Sequence, residues 1–196
     1  MATKTLIADG DADTKIQLEE SSDEDAIRID IAGTERWVFT EDRLEPIGNQ
    51  YNTFIGKNSG SSINTAAQYN TAVGGLALVS NTWGDHNNAF GYNTLNDNTT
   101  GRYNSGFGSW TLQHNTIGEF NMALGYRALE DNTEGDYNVG IGSYAISNST
   151  TAEFNVAVGS KALLRLTTAD GNVAIGHNSL ETTTTGAGNT AMGYQS

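Results

Sequence analysis

From residue 70 to residue 193 a five-residue phrase recurs: Asn, any residue, a small residue, a large apolar residue, Gly. It spans Asn70–Gly74, Asn87–Gly91, Asn104–Gly108, Asn121–Gly125, Asn138–Gly142, Asn155–Gly159, Asn172–Gly176 and Asn189–Gly193, and successive copies start 17 residues apart. A fixed period of this size signals stacked structural units and outranks local propensity.

The 17 positions can be numbered as columns from the Asn. Column 3 holds only Ala or Gly, and column 4 runs Val73, Phe90, Phe107, Leu124, Ile141, Val158, Ile175, Met192. Column 9 is Leu except for Ile146, and column 13 is Thr in every full unit, starting Thr82, Thr99, Thr116, Thr133. Column 12 begins as Asn and changes at Ser149, Leu166 and Thr183. Gly and Asn this frequent do not suit helix interiors. The expected fold is therefore all-β: a parallel β-solenoid, or β-roll, of 17-residue coils with equivalent residues stacked about 4.8 Å apart. Alternation puts column 3 opposite columns 2 and 4. The expectation is that columns 4 and 9 fill the coil, while column 3 admits the backbone of a neighbouring subunit around a three-fold axis. The reverse assignment stays open at this level.

Residues 1–48 lack the repeat and hold three short alternating runs, around Ile16–Leu18, Ile27–Ile31 and Trp37–Phe39, read as half-buried strands. This acidic segment is expected to serve attachment or trimerisation, with Arg43–Gln50 as a connector. Residues 49–69 read as an irregular first coil: Asn52–Gly56 repeats the phrase 18 residues before Asn70, which places an extra residue near Lys57–Ser62. Residues 70–196 form the regular solenoid. The chain ends at Ser196 inside a further coil, so the rod is expected to continue.

Net charge is −13, split as −8 over residues 1–48 and −5 over residues 49–196. That balance argues against nucleic acid as a partner, since binding it requires a basic face. No run approaches the roughly 18 apolar residues of a membrane span, and the first residues contain no apolar signal core. No Cys is present, so there is no thiolate or disulfide chemistry. Asp9, Asp11, Asp13 and Glu20 have EF-hand spacing, but Thr14 stands where the loop needs Gly, and no helices flank it. His86, His114 and His177 share no column, so stacking gathers no metal site. Column 16 is often acidic (Asp85, Glu119, Asp136, Glu153, Asp170) and reads as solvated charge, with no carboxylate pair singled out for glycoside hydrolysis. The Thr column reads as turn residues bonded to local backbone, and the irregular column 14 argues against an ice-binding array. No cofactor and no enzymatic activity are expected. The variable columns 6, 7, 10 and 11 are the candidate ligand surface, with Tyr92, Trp110, Tyr126 and Tyr144 able to stack on sugars.

Asn-x-Ala-apolar-Gly resembles the repeat in the heads of trimeric autotransporter adhesins, which are YadA-like left-handed parallel β-rolls in a homotrimer, although that repeat is usually shorter. The longer unit, seen from Asn121 to Gly135, is similar to repeats in phage tail fibres, notably those of cyanophages. Asp13–Glu19, Asp23–Arg28 and Ala32–Arg36 resemble a leader in tail-fibre and tailspike-like proteins. These resemblances imply a virion tail-fibre component: a rigid homotrimeric rod, held by other tail or baseplate proteins, with a part in host attachment through a surface glycan or protein. The alternative they imply is the head of a bacterial trimeric surface adhesin.

Overall fold

The computed structural model describes residues 51–63 and 66–196, and within residues 1–50 the backbone of five strands. Two compact units result, Met1–Asn52 and Thr53–Ser196.

The first unit is an antiparallel meander of β1 (Lys4–Ala8), β2 (Lys15–Glu20), β3 (Asp25–Ile31), β4 (Thr34–Phe39) and β5 (Leu44–Pro46), paired in sequence order. The three alternating runs are β2, β3 and β4. In register, Ile16 faces Ile29, which faces Trp37, and Leu18 faces Ile27, which faces Phe39. Two strands escaped the sequence reading. β1 has a register shift between Thr5 and Ile7, which interrupts the period of two. β5 lies in the segment taken for a connector and holds the chain's single Pro, tolerated because β5 is an edge strand. The acidic run from Asp9 to Thr14 lies outside the described residues.

The second unit is a β-solenoid with one three-residue strand per coil. These are β6 (Thr53–Ile55), β7 (Thr71–Val73), β8 (Asn88–Phe90), β9 (Ser105–Phe107), β10 (Met122–Leu124), β11 (Val139–Ile141), β12 (Val156–Val158), β13 (Val173–Ile175) and β14 (Thr190–Met192). They pair in parallel, neighbour on neighbour, into one nine-stranded sheet. The remainder of each coil is turns that hydrogen-bond to the coils on either side. The N–H of Leu95 donates to Thr111 of the next coil, whereas those of Asn93 and Tyr103 donate back to Gly75 and Asp85. Column 17 reports the spacing between coils: rings from Tyr69 through His86, Tyr103, Phe120 and Tyr137 to Phe154 stack with centroids 4.7–5.1 Å apart.

The sheet faces the opposite way from the expectation. Column 3 points inward: Ala72, Ala89, Ala123, Ala157 and Ala174 are fully buried, in one core with the column 8 alanines and column 9 leucines. Column 4 points outward, with Leu124 48% exposed. Column 3 is small because it packs against columns 8 and 9 of its own chain. A Cβ on Gly106 would collide with the side chain of Thr94, and Thr94 uses its hydroxyl to donate to Gly108 O at 2.7 Å.

The close backbone approach assigned to column 3 occurs instead at column 5, between coils. Its glycines, from Gly56 to Gly193, have φ of 129–139°. A Cβ on any of them from Gly56 to Gly176 would lie within 3 Å of the next coil's glycine backbone. Three further positions per coil take left-handed φ: column 7 (53–61°), column 9 (48–52°) and column 17 (56–59° for its non-glycine residues). Each costs about 1–2 kcal/mol for a residue with a side chain. At column 9, burying a Leu returns about 1.5–3 kcal/mol, and its N–H gains an inter-coil hydrogen bond. Column 17 turns to Gly171 and Gly188 where the aromatic stack ends.

Two buried Asn ladders run beside the core. In column 1 each backbone N–H donates to the preceding Asn Oδ1, as from Asn87 to Asn70 at 2.9 Å and from Asn138 to Asn121 at 2.9 Å. In column 12 the amides bond one another: Asn98 Nδ2 to Asn81 Oδ1 at 2.9 Å, then Asn115 to Asn98 and Asn132 to Asn115, both at 2.8 Å. Both ladders also donate to the column 15 carbonyl, so Gly101 O accepts from Asn87 and from Asn98. A Cβ on Gly84, Gly101, Gly118 or Gly135 would lie within 3 Å of the column 12 Asn Oδ1. Where column 12 becomes Ser149 and Leu166, column 15 accordingly becomes Ala152 and Ala169. The break leaves Asn132 Oδ1 and Ser149 Oγ buried without hydrogen-bond partners.

The first coil inverts this packing. Gly60 takes the column 9 conformation, with φ of 59°, and Phe54 replaces the small column 3 residue on the edge strand. The Phe54 ring occupies the space a Cβ on Gly60 would need and packs against the core. The offset of 18 persists at Ser62, whose N–H bonds Val79 O as Ser80 bonds Asn96 O. It is 17 at Gln68, whose N–H bonds Asp85 Oδ1. The extra residue therefore falls after Ser62, later than the sequence indicated.

Candidate functional site

The repeat residues are structural. Asn70 and its equivalents form the column 1 ladder, and Gly74 and its equivalents line the close inter-coil approach. Thr82, Thr99, Thr116 and Thr133 do not bond local backbone as expected. Their hydroxyls donate to the column 13 carbonyl of the next coil at 2.9–3.1 Å. Nor is column 16 mere solvated charge: Asp85, Asp136 and Asp170 each accept the N–H of the preceding column 16 residue at 2.6–2.8 Å. His86 is stacked between Tyr69 and Tyr103, and His114 Nδ1 lies 2.7 Å from Asp97 Oδ2. Among the described residues no group of three or more His, Cys, Asp or Glu is arranged to hold a metal ion.

The four sugar-stacking candidates do come together. Tyr92 and Tyr126 are in column 6 of alternate coils, and Trp110 and Tyr144 in column 7 of the coils that follow. Because these columns are adjacent, the rings interlock edge to face up the rod: Tyr92–Trp110 at 5.8 Å, Trp110–Tyr126 at 5.3 Å and Tyr126–Tyr144 at 5.5 Å. Ser109 and Ser143 occupy column 6 wherever column 7 is aromatic, which leaves space for the staggered rings.

Arg127, in column 7 between Trp110 and Tyr144, was not singled out by sequence. Its guanidinium carbon lies 5.2 Å from the Trp110 ring, 5.4 Å from Tyr126 and 5.9 Å from Tyr144. Its Nε is 3.5 Å from Glu130 Oε1, and that carboxylate raises the Arg127 pKa. Burial pushes the Glu130 carboxyl above the usual range, against the pull of Arg127. Around Tyr144 opens a cleft of about 920 Å³, lined only by columns 7, 10 and 11 of three successive coils. Arg127 and Glu130 stand on one side, Ser147 in the middle, and Lys161 and Arg165 on the other. These are three of the four columns marked as variable. The additional residues had one sequence signal: Arg127, Lys161 and Arg165 are three of only five Lys and Arg between residues 53 and 196.

No helix among the described residues is long and apolar enough to cross a membrane. Comparison of the chain with protein-family profiles, with curated proteins and with solved structures gives no match.

Proposed function

We propose that this chain is a structural component of a viral tail fibre, a rigid homotrimeric rod that takes part in host attachment. The observation that carries the assembly reading is the outer face of the solenoid sheet. From β10 to β13 both outward columns are apolar: Met122 and Leu124, Val139 and Ile141, Val156 and Val158, Val173 and Ile175. Parallel sheets are normally covered on both faces, and Met122 and Leu124 are each 48% exposed in the single chain. The rows repeat at the coil spacing, so the partner that matches them row for row has the same pitch, as another copy of the chain does. Three copies and the virion setting follow from the resemblance to fibre and adhesin repeats.

Light scattering after size exclusion at micromolar concentration tests the assembly. The expected mass is that of a trimer, falling to a monomer for Leu124→Asp with Ile141→Asp while far-UV circular dichroism is retained. A monomeric wild-type chain overturns the assembly reading. Antibody labelling of virions in electron micrographs tests the setting, and label on bacterial cell surfaces instead favours the adhesin head.

A further inference from the structure

We propose that the face formed by columns 6, 7, 10 and 11, from Tyr92 to Arg165, is a binding groove for an acidic polysaccharide chain. Two features overlap on it, sharing Tyr144. The first is the interlocked aromatic row, which offers ring edges and faces for sugar C–H surfaces and phenol hydroxyls for sugar hydroxyls. The second is the open cleft from Arg127 past Tyr144 to Arg165.

Charge selects the ligand class. The solenoid unit is net acidic, yet three of its five cationic side chains line this cleft, against two carboxylates, Glu130 and Asp131. Arg127 is paired with Glu130. Lys161 and Arg165, both exposed, have no ion pair within 4.0 Å among the described residues. Two unpaired cations, with the Asn148 amide and the Tyr144 ring beside them in the lining, suit the carboxylates of a uronic-acid chain, which Arg and Lys bind through charge-assisted hydrogen bonds. A polymer fits better than a single sugar, because row and cleft together span five coils. The groove belongs to the turns of the coil and not to the strand whose outer face carries the assembly, so a monomeric mass leaves it standing.

The experiment is isothermal titration of the full chain with a galacturonic acid hexamer, a neutral galactose hexamer and polyglutamate. Saturable binding of the galacturonate hexamer is expected. It weakens about tenfold or more in Lys161→Asn with Arg165→Gln, and also in Trp110→Asn, and is unchanged in Arg102→Gln. Asn is compatible with the left-handed φ of column 7, where Asn93 and Asn178 already stand, so these variants keep the coil. Circular dichroism checks that they do. The proposal is overturned by absence of saturable binding, by equal affinity for the neutral hexamer or polyglutamate, or by an Arg102→Gln loss as large as that of the cleft variants.

Discussion

The break in the column 12 ladder supports a quantitative test. Upstream, an Asn at column 12 requires Gly at column 15, because a Cβ there would meet the Asn Oδ1 within 3 Å. The coil that starts at Asn138 has Ser149 with Ala152 instead, and two buried polar atoms go unpaired. Ser149→Asn alone should drive the new amide into the Ala152 methyl, an overpacking cost of about 1–3 kcal/mol. In the Ala152→Gly background the overlap disappears. The new Nδ2 then supplies the missing donor to Asn132 Oδ1, and Ser149 Oγ is gone. The new Asn Oδ1 faces Leu166 as the ladder's next end, so two unpaired atoms become one, a gain of about 1–3 kcal/mol. Ser149→Asn should thus change sign between backgrounds, with a favourable coupling of at least about 2 kcal/mol. Urea melts of the wild type, both single variants and the double variant, followed by far-UV circular dichroism at fixed protein concentration, measure it. Equal effects of Ser149→Asn in both backgrounds, to within about 0.5 kcal/mol, would refute the steric link between columns 12 and 15.

Two further outcomes follow from the geometry. Gly125→Ala combines strained φ with a Cβ 2.8 Å from the Gly142 carbonyl, so a loss of about 2–6 kcal/mol is expected. Gly75→Ala, whose nearest contact would be Tyr92 at 3.5 Å, should be close to neutral, and equal urea midpoints for the two would count against the role given to column 5. The folded-state pKa of Glu130 is raised above its unfolded value. Its protonation therefore favours the fold below the unfolded value, and that contribution is lost as pH rises through the folded value. The difference in stability between wild type and Glu130→Gln, followed across that acidic window, should shift against the wild type as pH rises; a flat difference would show that burial does not govern this carboxyl.

The period told most of the fold, because stacking coils demands that equivalent residues recur. It did not tell which sheet face turns inward. Column 4 is the more apolar, and hydrophobicity alone put it inside. The better signal was size: a column restricted to Ala and Gly is crowded, while one ranging from Val73 to Phe90 has room to vary. The left-handed turns were hidden because Leu, Tyr and Lys are not residues that favour them; only Asn93 and Asn178 in column 7 and the late glycines of column 17 hinted at them. The ligand face was legible as a set of variable columns. Its cations were not, since they are unremarkable one at a time and become a cluster only when the coils starting at Asn121, Asn138 and Asn155 are stacked.

The Asn ladders also have a direction. From Asn87 onward each column 1 backbone N–H, and from Asn98 to Asn132 each column 12 amide nitrogen, points a proton toward the preceding coil, from Asn98 to Asn81 and from Asn189 to Asn172 alike. Within these two columns the side-chain dipoles therefore line up head to tail, while the Thr hydroxyls of column 13 donate in the opposite sense. A coil added in the same sense finds an acceptor waiting, whereas an inverted coil would set acceptor against acceptor or donor against donor. These two columns thus favour joining in one orientation, a bias against head-to-head fusion written into a single amino acid.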